Sequence, residues 1–513
     1  MRLRLALGIA ALSGFIALSY ELVWYRVLSV MNRGVASTFG LLLAAYLLGI
    51  ALGSRGSGYF CRGAGGDRRE LRVLALFVAV GNTIAALVVP AFAWSAHFTS
   101  YWLGLAVVMV AAGLLGAVLP LVSHFGVPPD DRAGHRLSWI YLANIVGSAT
   151  GSLVTGFLLM DRLSLIGIAR LLVVSGFALS ALLIALGRFP RAWAARVYAG
   201  LAVAVLVALW SSGTLYDRVY ERLVLKNEWD GTQRFAQIIE NKSGVITVTQ
   251  DGTVYGGGGY DGVLNTTLQE NERNGIVRAY IVGALHPAPH DVLMVGLSGG
   301  AWTQVVAHLP GVERMTVIEI NPGYLEVVRT HAEVSSLLAN PKITIAIDDG
   351  RRWLHRNPGR RFDMIVMNTT LHWRGHATNI LSMEFMALVR EHLNPGGVFY
   401  FNTTDSLDVQ LTAAHVFPHL LRVANFIAAS DSPKFDFDRE RWKHLLQSMT
   451  MDGKPVLDPS SPGDRKLYEE LAGFIDIAPR AAVLQFYEQI AGDVTDDNMR
   501  VEWKEPLRYP DLR

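Results

Sequence analysis

Long apolar stretches dominate the first 212 residues of the chain. Runs of roughly 20 mostly apolar residues, the length that crosses the hydrocarbon core of a bilayer, follow one another with short polar interruptions. They lie near residues 5–28, 38–60, 73–95, 101–123, 138–160, 164–187 and 193–212. This pattern predicts a polytopic membrane domain of about seven helices over residues 1–212.

After residue 212, the long apolar runs give way to shorter runs and to alternating apolar and polar residues. In "GVITVTQDGTVYGGGGYDGVLNTT" apolar and polar residues alternate around a turn, which predicts a small antiparallel β-hairpin subdomain within a connector over residues 213–289. Helix-like segments then separate the apolar runs "HDVLMVGLSGG", "ERMTVIEIN", "KITIAIDDG", "FDMIVMNTT" and "GGVFYFNTTDS". This alternation predicts a doubly wound, Rossmann-like α/β domain over residues 290–405. Amphipathic spacing over residues 406–513 predicts a helical C-terminal extension.

Composition supports the membrane assignment and excludes several classes of site. The chain has 513 residues, of which 51% are hydrophobic, and its mean hydropathy is +0.29, which is too apolar for a purely soluble protein. The net charge of +2 gives no indication of a nucleic-acid partner. A single cysteine, Cys61, excludes an intrachain disulfide and a cysteine-based zinc cluster. Histidine spacing gives no metal-ligand motif either, so no metal is expected.

Basic residues bear on the orientation of the predicted spans. They cluster in alternate loops, namely Arg2 and Arg4; Arg55, Arg62, Arg68, Arg69 and Arg72; Arg132 and Arg136; and Arg188, Arg191 and Arg196. The positive-inside rule places these loops in the cytoplasm, and we expect an integral protein of a bacterial inner membrane. Seven spans would then place the C-terminal half outside, which conflicts with a domain that uses a cytoplasmic nucleotide cofactor. The face that carries this domain therefore stays open.

The ends of the first three predicted parallel strands carry residues suited to a nucleoside. Glycines after the first strand let the backbone turn tightly against a ligand. An acid after the second strand can accept hydrogen bonds from both ribose hydroxyls, and acids after the third can accept the exocyclic amine of adenine. The candidate cofactor-binding residues are Gly296, Ser298, Gly299, Gly300, Glu319, Asp348, Asp349 and Gly350. Because no Walker motif or pyrophosphate fingerprint is present, S-adenosylmethionine or a relative fits better than a nucleoside triphosphate or NAD.

Several motifs of this region resemble those of the spermidine synthase family, and more closely of its integral-membrane members. These motifs are "YDGVLNTT", "VLMVGLSGG", "VIEIN", "IDDGRRWL" and "LSMEFMALVREHLNPGGVF", and the likeness covers roughly residues 235–405. The resemblance implies a class I methyltransferase fold with S-adenosylmethionine or decarboxylated S-adenosylmethionine as cosubstrate. It also carries the cofactor roles onto Gly296, Glu319 and Asp349.

The same comparison shows where this chain departs from the family pattern. Aminopropyltransferases have an Asp in the glycine loop and an acidic pair after the fourth strand, and these positions correspond to Gly299, Asn368 and Leu371 here. A Tyr-His-Glu cluster of the family reads "NGI" at residues 274–276. An amide cannot take a proton, so general-base catalysis from Asn368 is unavailable. The sequence therefore does not favour ordinary spermidine synthesis.

The loop after the fourth strand and the next strand end supply the catalytic candidates. They are Asn368, His372, Trp373, Arg374, His376 and Asp405. Either histidine could act as a base near neutral pH, the Trp ring could hold a sulfonium cation, and the Arg could bind a carboxylate or phosphate. The substrate-binding candidates are Tyr260, Asp261, Thr369, Thr370 and Asn379. The alternative is a surface loop that packs against the membrane domain, where Trp and Arg are also common.

Three functional hypotheses follow from this pattern. The first is a transferase that moves an aminopropyl or methyl group from a sulfonium cosubstrate to an unknown small-molecule acceptor, which the membrane could deliver. The second is cleavage or cyclisation of the cosubstrate without an acceptor. The third is a non-catalytic nucleoside or polyamine sensor or transporter. We favour the transferase, with the lipid bilayer as a partner, no nucleic acid, and a homo-oligomer left open.

Overall fold

The structure, a computed structural model, describes residues 3–61, 67–368, 371–473 and 476–504. It divides into a first unit, Met1–Arg234 with Glu240–Val245, and a second unit, Phe235–Ile239 with Ile246–Arg513. Thr369 and Thr370, two of the predicted substrate-binding residues, lie outside the described residues.

The first unit is helical. Its helices are α1 (Leu3–Met31), α2 (Ser37–Ser57), α3 (Asp67–Ala96), α4 (Trp102–Gly116), α5 (Val118–Gly126), α6 (Ala133–Val154), α7 (Met160–Arg162), α8 (Leu165–Leu186), α9 (Arg191–Leu215) and α10 (Val219–Leu225). A π-helical segment, Thr155–Leu159, joins α6 to α7.

Within the described residues, seven helical segments are long and apolar enough to cross a membrane. They are Leu3–Met31, Ser37–Ser57, Arg69–Ala96, Trp102–Gly126, Ala133–Arg162, Leu165–Leu186 and Arg191–Leu215. Each predicted apolar range overlaps one of these segments, so the predicted number of long apolar helices is confirmed.

Small residues allow α1 and α6 to approach closely. A Cβ atom built on Gly147 would lie 2.0 Å from the carbonyl oxygen of Ala11, and one on Gly151 would lie 2.4 Å from that of Phe15. No larger residue fits at either position without moving a helix backbone. Such glycine contacts are typical of helices packed in membranes, where close backbone approach replaces the hydrophobic effect.

The second unit contains an eight-stranded sheet, a two-stranded sheet and most of a four-stranded sheet. The strands of these sheets are β1 (Gln237–Asn241), β2 (Gly244–Val248), β3 (Thr253–Gly256), β4 (Gly259–Val263), β5 (Asp291–Val295), β6 (Arg314–Glu319), β7 (Ile343–Ile347), β8 (Phe362–Met367), β9 (Leu393–Asn402), β10 (His419–Val423), β11 (Phe426–Ser430), β12 (Thr450–Met451), β13 (Lys454–Pro455) and β14 (Ile477–Pro479). Strands β12 and β13 form the two-stranded sheet. The last two residues of β1 and the first two of β2 belong to the first unit. The small sheet has the order β1-β2-β3-β4, and the large sheet has the order β14-β10-β11-β9-β8-β5-β6-β7.

The helices of this unit lie between and after the strands. They are α11 (Asn271–Asn274), α12 (Val277–Tyr280), α13 (Val282–Leu285), α14 (Ala301–Ala307), α15 (Gly323–Thr330), α16 (Ala332–Ser335), α17 (Gly350–Arg356), α18 (Thr378–Leu381), α19 (Met383–Glu391), α20 (Leu407–Val416), α21 (Arg439–Ser448), α22 (Pro462–Ala472), α23 (Arg480–Tyr487) and α24 (Arg500–Lys504).

The five strands β5 to β9 form the parallel part of the large sheet. β5 pairs with both β6 and β8, β6 pairs with β7, and β8 pairs with β9, all in parallel. The chain leaves β5 toward β6 on one side and returns through β8 on the other, so the strand order reverses between β5 and β8. Open α/β sheets bind ligands in the crevice at this reversal, and the predicted Rossmann-like fold is confirmed.

Both faces of the parallel strands are buried. Val292 and Met294 of β5 belong to one apolar cluster, and Leu293 and Val295 belong to the cluster on the opposite face. This two-sided burial explains why these strands read as continuous apolar runs rather than as alternating ones.

The region after residue 405 differs from the predicted helical extension. Helices α20 to α24 are present, but β10, β11 and β14 add three antiparallel strands to the edge of the large sheet. Their sequences, "HLLRV", "FIAAS" and "IAP", are short apolar runs, and periodicity does not separate such runs from buried helix.

Candidate functional site

A cavity of about 100 Å³, lined by polar and apolar groups, lies at the carboxyl ends of β5, β8 and β9. Its lining residues are Tyr260, Asp261, Gly262, Val263, Asn274, Arg278, Gly296, Leu297, Ser298, Gly299, Gly300, Ala301, Trp302, Asn368, Leu371, Asn402 and Thr404. The cavity therefore occupies the crevice where the strand order reverses, and it joins residues from five separate stretches of the chain.

The turn after β5 forms one side of this cavity. Gly296 and Gly300 have φ angles of 93° and 84°, a left-handed region that glycine adopts without strain. A Cβ atom on Gly300 would also lie 2.7 Å from Leu337 Cδ2, whereas nothing lies within 4 Å of one on Gly296. The Ser298 hydroxyl donates to the carbonyl oxygen of Asp261 at 3.1 Å. We call Asp261 and residues 296–300 the glycine side of the cavity.

Glu319 holds the glycine side from behind. Its Oε2 accepts the backbone N–H groups of Leu297 at 2.8 Å and Ser298 at 3.3 Å, and its Oε1 accepts that of Asn321 at 2.8 Å. The side chain is 4% exposed. Burial raises the pKa of Glu319 to about 7, although the three N–H donors act in the opposite direction. The predicted contact of Glu319 with a ribose stays a prediction.

Asp261 lines the cavity and is held by a buried tyrosine. The Tyr324 hydroxyl donates a short hydrogen bond to Asp261 Oδ2. Burial, and then the nearby Asp261 carboxylate, raise the pKa of the Tyr324 hydroxyl well above its ordinary value, so this group stays a donor. Asp261 is the one carboxylate among the described residues that line the cavity.

A chain of hydrogen-bonded side chains contributes another part of the cavity lining. Arg278 Nη1 donates to Asn425 Oδ1 at 2.8 Å, Asn425 Nδ2 donates to Asn402 Oδ1 at 3.0 Å, and Asn402 Nδ2 donates to Asn368 Oδ1 at 3.0 Å. The backbone N–H of Thr404 also donates to Asn402 Oδ1 at 2.8 Å. We call these four side chains the amide chain, and Arg278, Asn368, Asn402 and Thr404 the amide side of the cavity.

Sequence reasoning named Asn368 but missed the other members of the amide chain. Arg278 lies one turn after the "NGI" segment, on the otherwise apolar stretch "IVRAYIV", and an arginine there was the available signal. Asn402 ends β9, and Asn425 precedes β11, whose Phe426 pairs with Asn402. Only the antiparallel pairing of these strands brings the two amides together.

Most of the candidate side chains in the loop after β8 do not line the cavity. His372 Nδ1 lies 2.7 Å from Thr404 Oγ1, and Trp373 is 2% exposed. Arg374 Nη2 donates to the carbonyl oxygen of Gly256 at 2.7 Å. These three residues, the exposed His376 and the exposed Asp405 are not among the residues that line the cavity. Their catalytic roles stay predictions.

The C-terminal helix fixes this loop. Glu502 on α24 is buried, and its carboxylate accepts the backbone N–H groups of His376 and Thr378, each at 2.9 Å. The two accepted bonds hold the loop backbone just before α18.

Of the two predicted adenine-binding acids, Asp349 lines a second cavity and Asp348 does not. Asp349 Oδ1 accepts the backbone N–H of Arg352 at 2.8 Å and thereby caps α17. Asp348 pairs with Arg352 and, at 3.6 Å, with Arg356. The second cavity is lined by Asp349, Arg351, Arg352, His355, Arg356 and Asn379. A Cβ atom on Gly350 would lie 2.8 Å from Val295 Cγ1, so α17 approaches β5 closely.

The cavity residues do not resemble a metal site. Across the described ranges, no group of three or more His, Cys, Asp or Glu side chains is placed to hold a metal ion.

Comparison with known proteins shows which family and which relatives this chain resembles. Residues 278–422 match the family described as the spermine/spermidine synthase domain. The chain is 26% identical to polyamine aminopropyltransferase 2 of Streptomyces coelicolor over 401 residues, which are 74% of this chain and 70% of the relative. It is 25% identical to a polyamine aminopropyltransferase of Mycobacterium tuberculosis over 405 residues, 74% of this chain and 73% of the relative.

A solved spermidine synthase from Thermotoga maritima is also similar. It shares 16% identity, and the match covers 50% of this chain and 90% of that one with a TM-score of 0.36. The residues that match the spermine/spermidine synthase family, 278–422, include the strands β5 to β9. The predicted resemblance to the spermidine synthase family is confirmed.

Proposed function

We propose that the second unit is an alkyl transferase that takes its group from decarboxylated S-adenosylmethionine or from S-adenosylmethionine. The observation that carries this proposal is the cavity at the reversal of strand order, which the glycine side and Asn368 line together. The names of the relatives support aminopropyl transfer as the reaction class.

The reaction needs little from the protein beyond binding and orientation. A lone pair of the acceptor attacks the carbon next to the sulfonium, the carbon–sulfur bond breaks, and its electron pair neutralises the sulfur. The leaving group is methylthioadenosine after aminopropyl transfer and adenosylhomocysteine after methyl transfer. Holding the two reactants in line can supply much of the rate enhancement. Asp261 is placed to offset the sulfonium charge, because its carboxylate lines the glycine side.

We also propose that the first unit spans a bacterial inner membrane. The most apolar part of α9 has no buried residues, and its Leu206 and Trp210 are 65% and 84% exposed. Contact of such an apolar surface with lipid tails costs no free energy, whereas contact with water is unfavourable. A membrane position would let the enzyme take its acceptor from the lipid phase.

The full chain, purified and reconstituted in lipid nanodiscs, tests the proposal. It is incubated with each sulfonium compound, with and without an extract of small molecules and lipids as acceptors, and the products are identified by mass spectrometry. Acceptor-dependent release of methylthioadenosine or adenosylhomocysteine is the expected result. Cosubstrate binding without any product would reject the transferase and leave the nucleoside sensor.

A second candidate reaction is cleavage or cyclisation of the cosubstrate alone. Asn368 and Leu371 favour it, because a reaction without an acceptor needs no acid to bind or deprotonate an amine. Release of methylthioadenosine at the same rate with and without acceptors would establish this reaction instead of transfer.

A further inference from the structure

The amide chain has a fixed hydrogen-bond direction. A guanidinium has only donors, so Arg278 requires the oxygen of Asn425 to face it. The nitrogen of Asn425 must then face the oxygen of Asn402, and the nitrogen of Asn402 must face the oxygen of Asn368. The Thr404 backbone N–H fixes the orientation of Asn402 independently, because it too can only donate.

This direction decides what Asn368 offers to a ligand. Its oxygen accepts from Asn402, which is the one hydrogen bond of this side chain among the described residues. The Nδ2 group, a donor of two hydrogen bonds, is left for a ligand in the cavity. To offer its oxygen instead, Asn368 would have to turn its NH₂ group toward that of Asn402. Asn402 could not relieve this clash, because its own rotation would bring its NH₂ group against the Thr404 N–H.

The charge on the amide side, like the hydrogen-bond direction, favours an anionic ligand. Arg278 lines the cavity, where its backbone partners are the carbonyl oxygens of Gly275 at 2.9 Å and Asn274 at 2.7 Å. Its guanidinium lies 5.3 Å from the centre of the Phe426 ring. The one described carboxylate of the cavity, Asp261, belongs to the glycine side and is bonded to Tyr324. The amide side thus presents a cation and amide donors, and no described carboxylate.

We propose that the acceptor substrate carries an anionic oxygen group, a carboxylate or phosphate, which binds the Asn368 amide and Arg278 in place of the ammonium group of a polyamine. This inference rests on the proposed transferase function and names its acceptor class. The acceptor nucleophile forms its bond to the carbon next to the sulfonium, the thioether leaves with the electron pair, and the nucleophile's proton passes to solvent or to the acceptor's own anionic group. The anionic group of such an acceptor can itself take the proton, a role that the Asn368 amide cannot fill.

The test compares acceptors that share an amine and differ in whether the other end carries an anion. The full chain in nanodiscs, with decarboxylated S-adenosylmethionine or S-adenosylmethionine present, is titrated with 4-aminobutyrate against putrescine and with phosphoethanolamine against ethanolamine. Within at least one pair, the anionic member should bind at least tenfold more tightly. Equal binding, preference for the cationic members or no binding of any of them would overturn the inference. Nanodiscs with and without phosphatidylethanolamine separate a lipid headgroup from a soluble acceptor as the source.

Binding and turnover are read separately, so the two proposals fail in different ways. Anion preference in calorimetry without any alkylated product would uphold the acceptor class and reject the transferase. Product formation with putrescine as the better ligand and substrate would uphold the transferase and reject the anionic acceptor class.

A pair of charge-matched variants isolates Asn368. Asn368→Asp keeps an oxygen for Asn402 and offers a second oxygen to the cavity, so it should shift the preference at least tenfold toward putrescine. Asn340→Asp adds the same charge away from the cavity and keeps the oxygen that accepts the Lys342 N–H, so the preference should not change. An unchanged preference in Asn368→Asp would contradict the inference. Should that variant fail to fold, the wild-type comparison still decides.

Discussion

The glycine side of the cavity is built from backbone, whereas the amide side is built from side chains. On the glycine side, positive φ angles and N–H groups held by Glu319 shape the surface, and few residue types permit that geometry. On the amide side, four side chains from residues 278 to 425 fix one another's orientation. A single substitution there can change what the cavity recognises without changing the fold. Under the proposed function, the glycine side binds the common cosubstrate and the amide side selects the acceptor.

Glu319 should show the largest effect on the glycine side. Its native pKa of about 7 lies above the ordinary value of 4.5, so the native state binds the proton more tightly than the unfolded state. Stability is therefore full below about pH 4.5 and falls by about 3 kcal/mol as the pH rises through 7. Glu319→Gln should remove this slope in urea denaturation, while the exposed Glu326→Gln should retain it. An equal pH dependence of stability in the wild type and both variants would show that Glu319 does not cause it.

Gly300 tests whether the turn needs glycine for its backbone conformation or for space. Gly300→Ala combines a positive φ with contacts at 2.7 Å to Leu337 and 3.0 Å to Val328, so we expect a loss of about 2 to 3 kcal/mol. Gly296→Ala has the positive φ but nothing within 4 Å, and should lose about 1 kcal/mol. Both are measured by denaturation of the full chain. Equal losses would show that space is not limiting at Gly300.

Asn402 tests the direction of the amide chain. Asn402→Asp keeps the oxygen for Thr404 N–H and places an oxygen opposite Asn368, so Asn368 should rotate and turn its carbonyl oxygen into the cavity. Ammonium ligands should then bind about tenfold more tightly, which is about 1.4 kcal/mol. Cosubstrate binding, which we propose for the glycine side, should not change. Loss of cosubstrate affinity to the same degree would show that the two sides do not act separately.

Asp349 should give the smallest effect and separates capping from ligand binding. Asp349→Ala removes the side-chain cap of α17 and should cost about 1 kcal/mol, whereas Asn also caps helices well. If Asp349 binds the adenine amine as predicted, Asp349→Asn should keep the thermal stability and still weaken cosubstrate binding. Unchanged affinity for the cosubstrate in Asp349→Asn would show that Asp349 caps α17 and does not bind the adenine amine.

The two sides also differ in how far the sequence could predict them. The strand ends at Gly296 and Glu319 follow apolar runs that are visible in the chain, so the fold and the glycine side could be placed by pattern. The amide side depends on β9 and β11 lying antiparallel, and no local period encodes that pairing. His372, Trp373 and Arg374 were chosen for their chemistry, but the direction of a loop side chain follows from tertiary contacts such as those to Thr404 and Gly256.

The bond between Glu502 and the loop after β8 has a consequence for biosynthesis. His376 leaves the ribosome 126 residues before the carboxylate that receives its N–H, an interval of roughly 6 to 25 s at ordinary elongation rates of about 5 to 20 residues per second. Once β9 has been synthesised, β8 and β9 can pair for the rest of that interval. We therefore expect the nascent protein to acquire its sheet first and the final shape of this loop last, once α24 has been made.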